Sequence, residues 1–508
     1  MTNREISAAE VEAHNREDDV WIVVNGKVYE VTEFAPRHPG GAEVIYRFAG
    51  RDASNAYNTI HSPALIATDL SHSCQGELNT STVPENWRKT ETEKGSRQTD
   101  SDSWRSSVET YRKPSLQELL SLHDFETIAQ RLLSPKAWAY NSGAANDNLT
   151  RDANQTMLRR ILLRPAVMRD VSTVTMRRTL LGCSFELPVY IAPVGAAKTV
   201  CPEGELPLAH AANPAGIVQC IATTASFTLP EILDATPAHA FLQLYINRDR
   251  AKTETQVRQA TASGKVKAFL ITADLPVMSK READERLPSE GDQGTIVNVS
   301  REQAAPETSN QQSSNAPGKQ NAGLAKSTSS FIDPTLNWQD IAWLRAITHL
   351  PLLIKGIQRA EDARLAMQFG LDGIVVSNHG GRAADTAPPS ILTLLELRRD
   401  CPEVFEQMTV LVDGGFRRGS DVLKAICLGA SAVGLGRPFA YALTYGEEGV
   451  MHAIAVMKQE LATAMQLVGL TDLRDANPGY INTADLQRLL PVDDLPPLIG
   501  KKRLMGKL

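Results

Sequence analysis

The chain has 508 residues, enough for two or three separate cores. It is 42% hydrophobic and 22% charged, an ordinary globular balance, and its net charge of −6 argues against a general nucleic-acid surface. No run approaches the roughly 18 apolar residues of a membrane span.

Residues 1–79 form the first composition zone. Two strand-like runs, Val20–Val24 and Lys27–Val31, flank Asn25-Gly26, a pair that predicts a tight hairpin. RHPGG at 37–41 follows, with Pro39, Gly40 and Gly41 predicting a tight turn beside His38. His61 lies 23 positions after His38. Two histidines on separate helices can bind one haem iron from opposite faces; two surface histidines are the alternative. Residues 80–113 are polar, charged and nearly free of aliphatics, which is linker composition.

From residue 114 to 508 short apolar runs alternate with helical stretches. The runs are Val189–Ala192, Ile217–Ala222, Ala240–Leu244, Ala268–Ala273, Leu352–Ile354, Gly373–Ser377, Thr409–Val412 and Ala432–Leu435. This rhythm predicts an α/β fold, a (β/α)8 TIM barrel, preceded by a small α+β domain. Residues 286–330, rich in Ser, Gln, Asn, Gly and Pro, interrupt the rhythm after the fourth run. They are read as a lid over the barrel mouth or as a solvated insertion. The six cysteines show no CxxC and no metal-ligand spacing, so reduced thiols inside a cell are expected. The N-terminus lacks the apolar core of a secretory signal and the Arg-rich character of a transit peptide. A cytoplasmic or mitochondrial intermembrane location is therefore the expectation, and the final Gly-Lys-Leu carries little weight as a peroxisomal address.

The chemistry-bearing residues cluster at the ends of these runs. VDGGFRRGSDVLKA (412–425) and VGLGRPF (433–439) place glycine-rich loops after the seventh and eighth runs, where barrels of this kind hold phosphate. Arg417 and Arg437 add charge there. IVVSNHGGRAAD (374–385) sets His379 three residues before Arg382, a proton acceptor beside a carboxylate clamp. The fifth run ends in LLIKG, placing Lys355 at the barrel mouth, where a cation can stabilise developing negative charge. The fourth ends in LITADLP, where the Asp274 carboxylate can orient an imidazole. Arg281 in SKREAD supplies a second positive charge. Singly, each has a bland alternative, such as a surface lysine or a helix cap.

FAPRHPGGAEVIYRFAGRDASNAYNTIHS and WIVVNGKVYEVTEF resemble the haem-binding core of the cytochrome b5 family over residues 4–79. The resemblance implies haem b with His38 and His61 as axial ligands. WAYNSGAANDNLT, IAPVGAAK, FLQLYINRDR, LITADLP, SKREAD, LLIKG, SNHGGR, DGGFRRG and GLGRPF resemble the FMN-dependent family that oxidises 2-hydroxy acids. The two modules together resemble the cytochrome-coupled L-lactate dehydrogenases.

That resemblance implies roles. His379 takes the substrate proton, supported by Asp274. Tyr140, Arg281 and Arg382 hold the carboxylate, and Tyr245 bonds near the hydroxyl. FMN is contacted by the backbone of Ala192, Pro193, Val194 and Gly195, and by Gln243, Thr272 and Lys355. Its phosphate lies against Asp413, Gly414, Gly415, Phe416, Arg417, Gly436 and Arg437. The implied partners are a small 2-hydroxy acid and cytochrome c or a similar acceptor, and the implied assembly is a homotetramer. An oxygen-using oxidase with a dispensable haem is the alternative. Three positions depart from the family: Gly195 replaces an alanine, Ala222 a serine, and Thr224 aligns with a leucine of lactate-oxidising members. Gly195 and Thr224 predict a pocket roomier and more polar than one built for a methyl group.

Overall fold

The computed structural model describes residues 4–38, 42–84, 87, 111–287 and 331–491. The turn expected at Pro39-Gly40-Gly41, most of the linker 80–113 and nearly all of the insertion 286–330 lie outside the described residues.

The N-terminal module is a six-stranded sheet with short helices packed against it. Asp19–Val24 and Lys27–Glu30 pair antiparallel across Asn25-Gly26, whose φ angles of 51° and 78° are those of the expected hairpin turn. Side chains alternate across a strand, so this one serves two cores. Val20, Ile22 and Val24 join Tyr29, Ala35 and Ile66, whereas Trp21 and Val23 join Ile6, Val11 and Val28. Ser62, the residue after His61, caps helix α1 (Pro63–Asp69).

The second module is a closed barrel of eight parallel strands whose spatial order is their chain order. They are β1 (Val189–Ile191), β2 (Val218–Ile221), β3 (Ala240–Leu244), β4 (Val266–Thr272), β5 (Leu352–Ile357), β6 (Gly373–Val376), β7 (Thr409–Asp413) and β8 (Ala432–Leu435). Each matches an expected run. Parallel strands covered by helices are apolar on both faces. Tyr190, Val218, Cys220, Phe241, Leu270, Leu353, Val375 and Leu411 fill the interior. Their neighbours Ile191, Ile221, Leu242, Ile271, Ile354, Val376 and Val412 belong to the large outer core. Each fully buried Leu or Ile contributes about 1.5–3 kcal/mol. The hairpin Arg178–Leu180/Cys183–Phe185 adds Cys183 and Phe185 to the interior. Phe185 lies beside Phe241 near the start of β3, so the hairpin closes the N-terminal end.

Two further helices shape the open end: α2 (Pro135–Ser142), capped by Ser134, and α3 (Leu149–Arg159). Helix α4 (Leu229–Ala235) follows β2 and starts with a capping box of Thr228 and Glu231. All six cysteines are free thiols, five of them buried. No helix among the described residues is long and apolar enough to cross a membrane.

Candidate active site and haem pocket

One cavity sits at the C-terminal ends of the barrel strands, where such barrels build their sites. Most of the expected residues line it: Tyr140, Ala192, Pro193, Gly195, Gln243, Tyr245, Arg281, Lys355, His379, Arg382, Asp413 to Arg417, Gly436 and Arg437. Three do not. Asp274 stands behind His379, Thr272 accepts a hydrogen bond from the Gln243 amide at 2.9 Å, and the Val194 side chain packs into the outer core.

His379 is set by strained backbone. It adopts φ 59°, followed by Gly380 at 63° and Gly381 at 82°. A non-glycine residue in this region costs on the order of 1 kcal/mol or more and persists only where its surroundings enforce it. Here the Asn378 carbonyl oxygen of the side chain accepts from Gly381 N at 3.0 Å, and His379 N donates to Ser377 Oγ at 3.0 Å. Gly381 is required because a Cβ would lie 2.5 Å from Arg151 N. The imidazole bonds Asp274 Oδ1 through Nδ1 at 2.9 Å and faces Tyr245 Oη through Nε2 at 3.4 Å. Burial pulls the His379 pKa down, against the pull of Asp274, so the ring stays neutral near pH 7 with a basic nitrogen toward the cavity. Burial pushes Asp274 up, but His379 and Lys355 outweigh it and hold the carboxylate ionised. Burial and Asp274 push the Tyr245 phenol up, which keeps it a proton donor.

Lys355 ends buried between two carboxylates, 3.5 Å from Asp413 and 4.0 Å from Asp274. Burial disfavours its charge, yet Asp413 and Asp274 raise its pKa overall, so the cation persists at the barrel axis. Its Nζ donates to Ser377 Oγ at 2.9 Å, and that hydroxyl donates to Asp413 Oδ1 at 2.6 Å. Ser377 therefore joins the lysine, the carboxylate and the His379 backbone. Sequence reasoning passed over it, although its place immediately after β6 was a signal.

Arg281 is buried, and its Nε has no hydrogen-bond partner among the described residues. Burial and the neighbouring Arg382 pull its pKa down to about 10, so it stays charged at neutral pH. A buried unpaired guanidinium nitrogen beside a cavity is a seat for an anion. Arg382 turns two nitrogens to the carbonyls of Tyr140, Asn141 and Gly143 at the end of α2. Arg437 donates to Asn141, Gly143 and Gly380. Asn154 of α3 and Asn378 exchange reciprocal amide bonds of 2.9 Å, tying α3 to the histidine loop, and neither was singled out from sequence. Met278 also lines the cavity.

The pocket wall at Gly195 corrects one expectation. A Cβ there would lie 2.3 Å from Thr224 Oγ1 and 3.0 Å from Thr224 O. The space vacated by the missing methyl is thus filled by the threonine. The exchange makes the wall more polar rather than simply larger.

A flavin phosphate fits the loops after β7 and β8. Gly414 and Gly415 take φ 103° and 88°, and Gly415 packs so closely that a Cβ would meet the Asn154 backbone at 2.5 Å. Such turns expose backbone N–H groups, and Arg417 and Arg437 flank them. In the other module the His38 and His61 rings stand opposite each other at 79°, edge on, with centroids 6.4 Å apart. That separation accommodates one iron with imidazole nitrogens about 2 Å away on each side. Burial, then His38 and Lys198, push His61 down to about 4, leaving the neutral, ligating form. Phe34, Ile60, Leu65 and Leu70 supply apolar walls to a cavity shared with the barrel.

The FMN-dependent dehydrogenase family matches residues 129–483, and the cytochrome b5-like haem/steroid-binding domain matches residues 7–79. The chain belongs to the FMN-dependent dehydrogenases. Within that family it carries a cytochrome b5-like domain, so its cofactors are FMN and haem b. It is 38% identical to the L-lactate dehydrogenase (cytochrome) of Wickerhamomyces anomalus over 497 residues, 96% of this chain and 82% of the relative. The Saccharomyces cerevisiae enzyme of the same description is 36% identical, over 96% of this chain and 81% of that relative. A mutant flavocytochrome b2 with pyruvate bound superposes with a TM-score of 0.67 at 34% identity, covering 79% of this chain and 95% of the other. The glycolate oxidase of Spinacia oleracea is 35% identical but spans only 72% of this chain, and 96% of its own length.

Proposed function

We propose that this chain oxidises an L-2-hydroxy acid to the 2-oxo acid and delivers the electrons through FMN and haem b to an external one-electron acceptor such as cytochrome c. One observation carries the reading: a half-buried His379, bonded through Nδ1 to the fully buried Asp274, faces the same cavity as the unpaired Arg281 Nε. FMN, when bound, would supply a two-electron sink and haem b a one-electron carrier. The chain's own residues do the rest. Arg281 pairs with the substrate carboxylate, with Arg382 and the Tyr140 hydroxyl beside it. Tyr245 Oη bonds the substrate hydroxyl and keeps it near His379 Nε2, which accepts the proton released on oxidation in both a hydride and a carbanion route. Asp274 holds the imidazole in the accepting tautomer and stabilises it once protonated. Lys355 would place a fixed positive charge in the cavity where a reduced flavin gathers negative charge. Ala192, Pro193, Gly195 and Gln243, the last held by Thr272, would border the ring, and the loops from Asp413 and Gly436 would receive the phosphate.

Thr224 lines the substrate pocket, and its hydroxyl fills the place a methyl at position 195 would take, which favours an acid whose side chain is more polar than a methyl group. The assembly is proposed as a homotetramer, and an acceptor of the cytochrome c kind would place the enzyme in the mitochondrial intermembrane space or the cytosol. The test is anaerobic mixing of the full enzyme with a panel of L-2-hydroxy acids, following flavin bleaching and haem reduction together. Both signals are expected, in that order. A panel in which no acid bleaches the flavin overturns the reaction, and a marked preference for L-lactate over every other acid overturns the substrate assignment.

A further inference from the structure

The haem module touches the barrel through the two residues that follow its second histidine's helix. The Lys198 ammonium donates to the His61 carbonyl at 3.0 Å. Ser62 N donates to Ser226 O at 2.9 Å, and Ser62 Oγ donates to Glu231 Oε1 at 2.7 Å. Ser62 is fully buried by this contact.

Both ends of the last bond are helix caps. Ser62 Oγ also accepts from Ala64 N at 3.1 Å, starting α1. The other oxygen of Glu231 accepts from Thr228 N at 2.8 Å and Thr228 Oγ1 at 2.7 Å, starting α4. One carboxylate thus fixes the barrel helix with one oxygen and grips the haem module with the other. The seat beneath is braced. Buried Glu205 accepts from Ala197 N at 3.0 Å and Ser226 N at 2.9 Å, joining the loop after β1 to the loop after β2.

We propose that Ser62, Glu231 and Lys198 form a docking latch that holds the haem beside the flavin site, and that the latch, rather than any residue at the substrate, sets how often electrons cross between modules. This rests on the proposed flavin-to-haem route. The physical argument is one of leverage. A hydrogen bond to a charged acceptor shifts an equilibrium by about tenfold or more. Here the bond is made by the residue next to the haem ligand, so losing it frees the ligand-bearing segment itself. These are positioning residues; none of the three lines the substrate cavity.

Ser62→Asp keeps a good helix cap but sets two carboxylates face to face. Ser62→Asp/Glu231→Gln removes the repulsion while Gln keeps the capping box. In the full enzyme, amide hydrogen exchange at 62–66 and 226–231 is expected to quicken at least about tenfold in Ser62→Asp. Haem reduction by substrate should slow by a similar factor while flavin bleaching keeps its rate, and the double variant should recover part of both losses. Unchanged exchange in Ser62→Asp, or an exchange defect that the double variant does not relieve, overturns the latch. If Ser62→Asp fails to retain its haem spectrum, Lys198→Met replaces it: faster exchange at 62–66 supports the latch, and unchanged exchange overturns it. A wild-type enzyme whose flavin no 2-hydroxy acid bleaches would sink the functional reading instead, while the exchange comparison still decides the contact.

Discussion

At the scale of single residues, the site is a set of charges held where water would otherwise neutralise them. Asp274 is the residue on which His379 depends, since its carboxylate is wholly buried and bonded to Nδ1. Asp274→Asn should lower kcat on the order of 10²-fold with both cofactors still bound, measured by flavin bleaching under substrate saturation. The pH profile has a defined sign. A base must be neutral to act, and burial places the His379 pKa below its ordinary 6.5. The acidic limb of kcat/KM is therefore expected below pH 6.5, with full activity retained above it; a limb centred above neutrality would contradict this. The Gly195–Thr224 contact gives a second test. Gly195→Ala puts a methyl 2.3 Å from Thr224 Oγ1 and should cost about 1–3 kcal/mol in thermal or urea unfolding. Adding Thr224→Ala should return most of it, a coupling that a double-mutant cycle reads directly.

At the scale of elements, α3 is the strut of the catalytic loop. Asn154 bonds Asn378 twice and accepts from Ser390 N at 3.1 Å. Asn154→Ala strips both reciprocal bonds from the buried Asn378 amide, leaving it only Gly381 N and Pro388 O, which should cost about 1–3 kcal/mol of stability and lower kcat more than it raises KM. The eight strands were legible because each is a short apolar run bounded by helical stretches, and the chemical residues were legible because they end those runs. The strut was not, because Asn154 and Asn378 are 224 positions apart and neither has a local signature. Ser377 lay inside a quoted motif, but its link to Lys355 and Asp413 exists only once β5, β6 and β7 stand side by side. The Gly195 reading failed on size for a related reason: a sequence shows that a methyl is missing, not that a threonine from the next loop occupies its place.

At the scale of the whole molecule, two modules share one electron path but separate chemistries. His38→Ala in the full chain should abolish the haem spectrum and reduction of the external acceptor, yet leave substrate-driven flavin bleaching within about threefold of wild type, since none of the described residues of the N-terminal module lines the substrate cavity. Loss of bleaching in that variant would mean that the haem module completes the oxidation site. The motifs around His38 and His61 announced the module, but not its seat, which is built from loops whose sequence carries no sign of a partner. Those loops have two faces. Thr224 borders the substrate cavity and also the cavity beneath the haem module. Selection on this wall is consequently pleiotropic: a substitution favoured for a new acid is screened a second time by its effect on docking. Directed evolution scored with a dye that takes electrons straight from the flavin would be blind to that second screen, and its winners at position 224 should lose rank when scored with a protein acceptor.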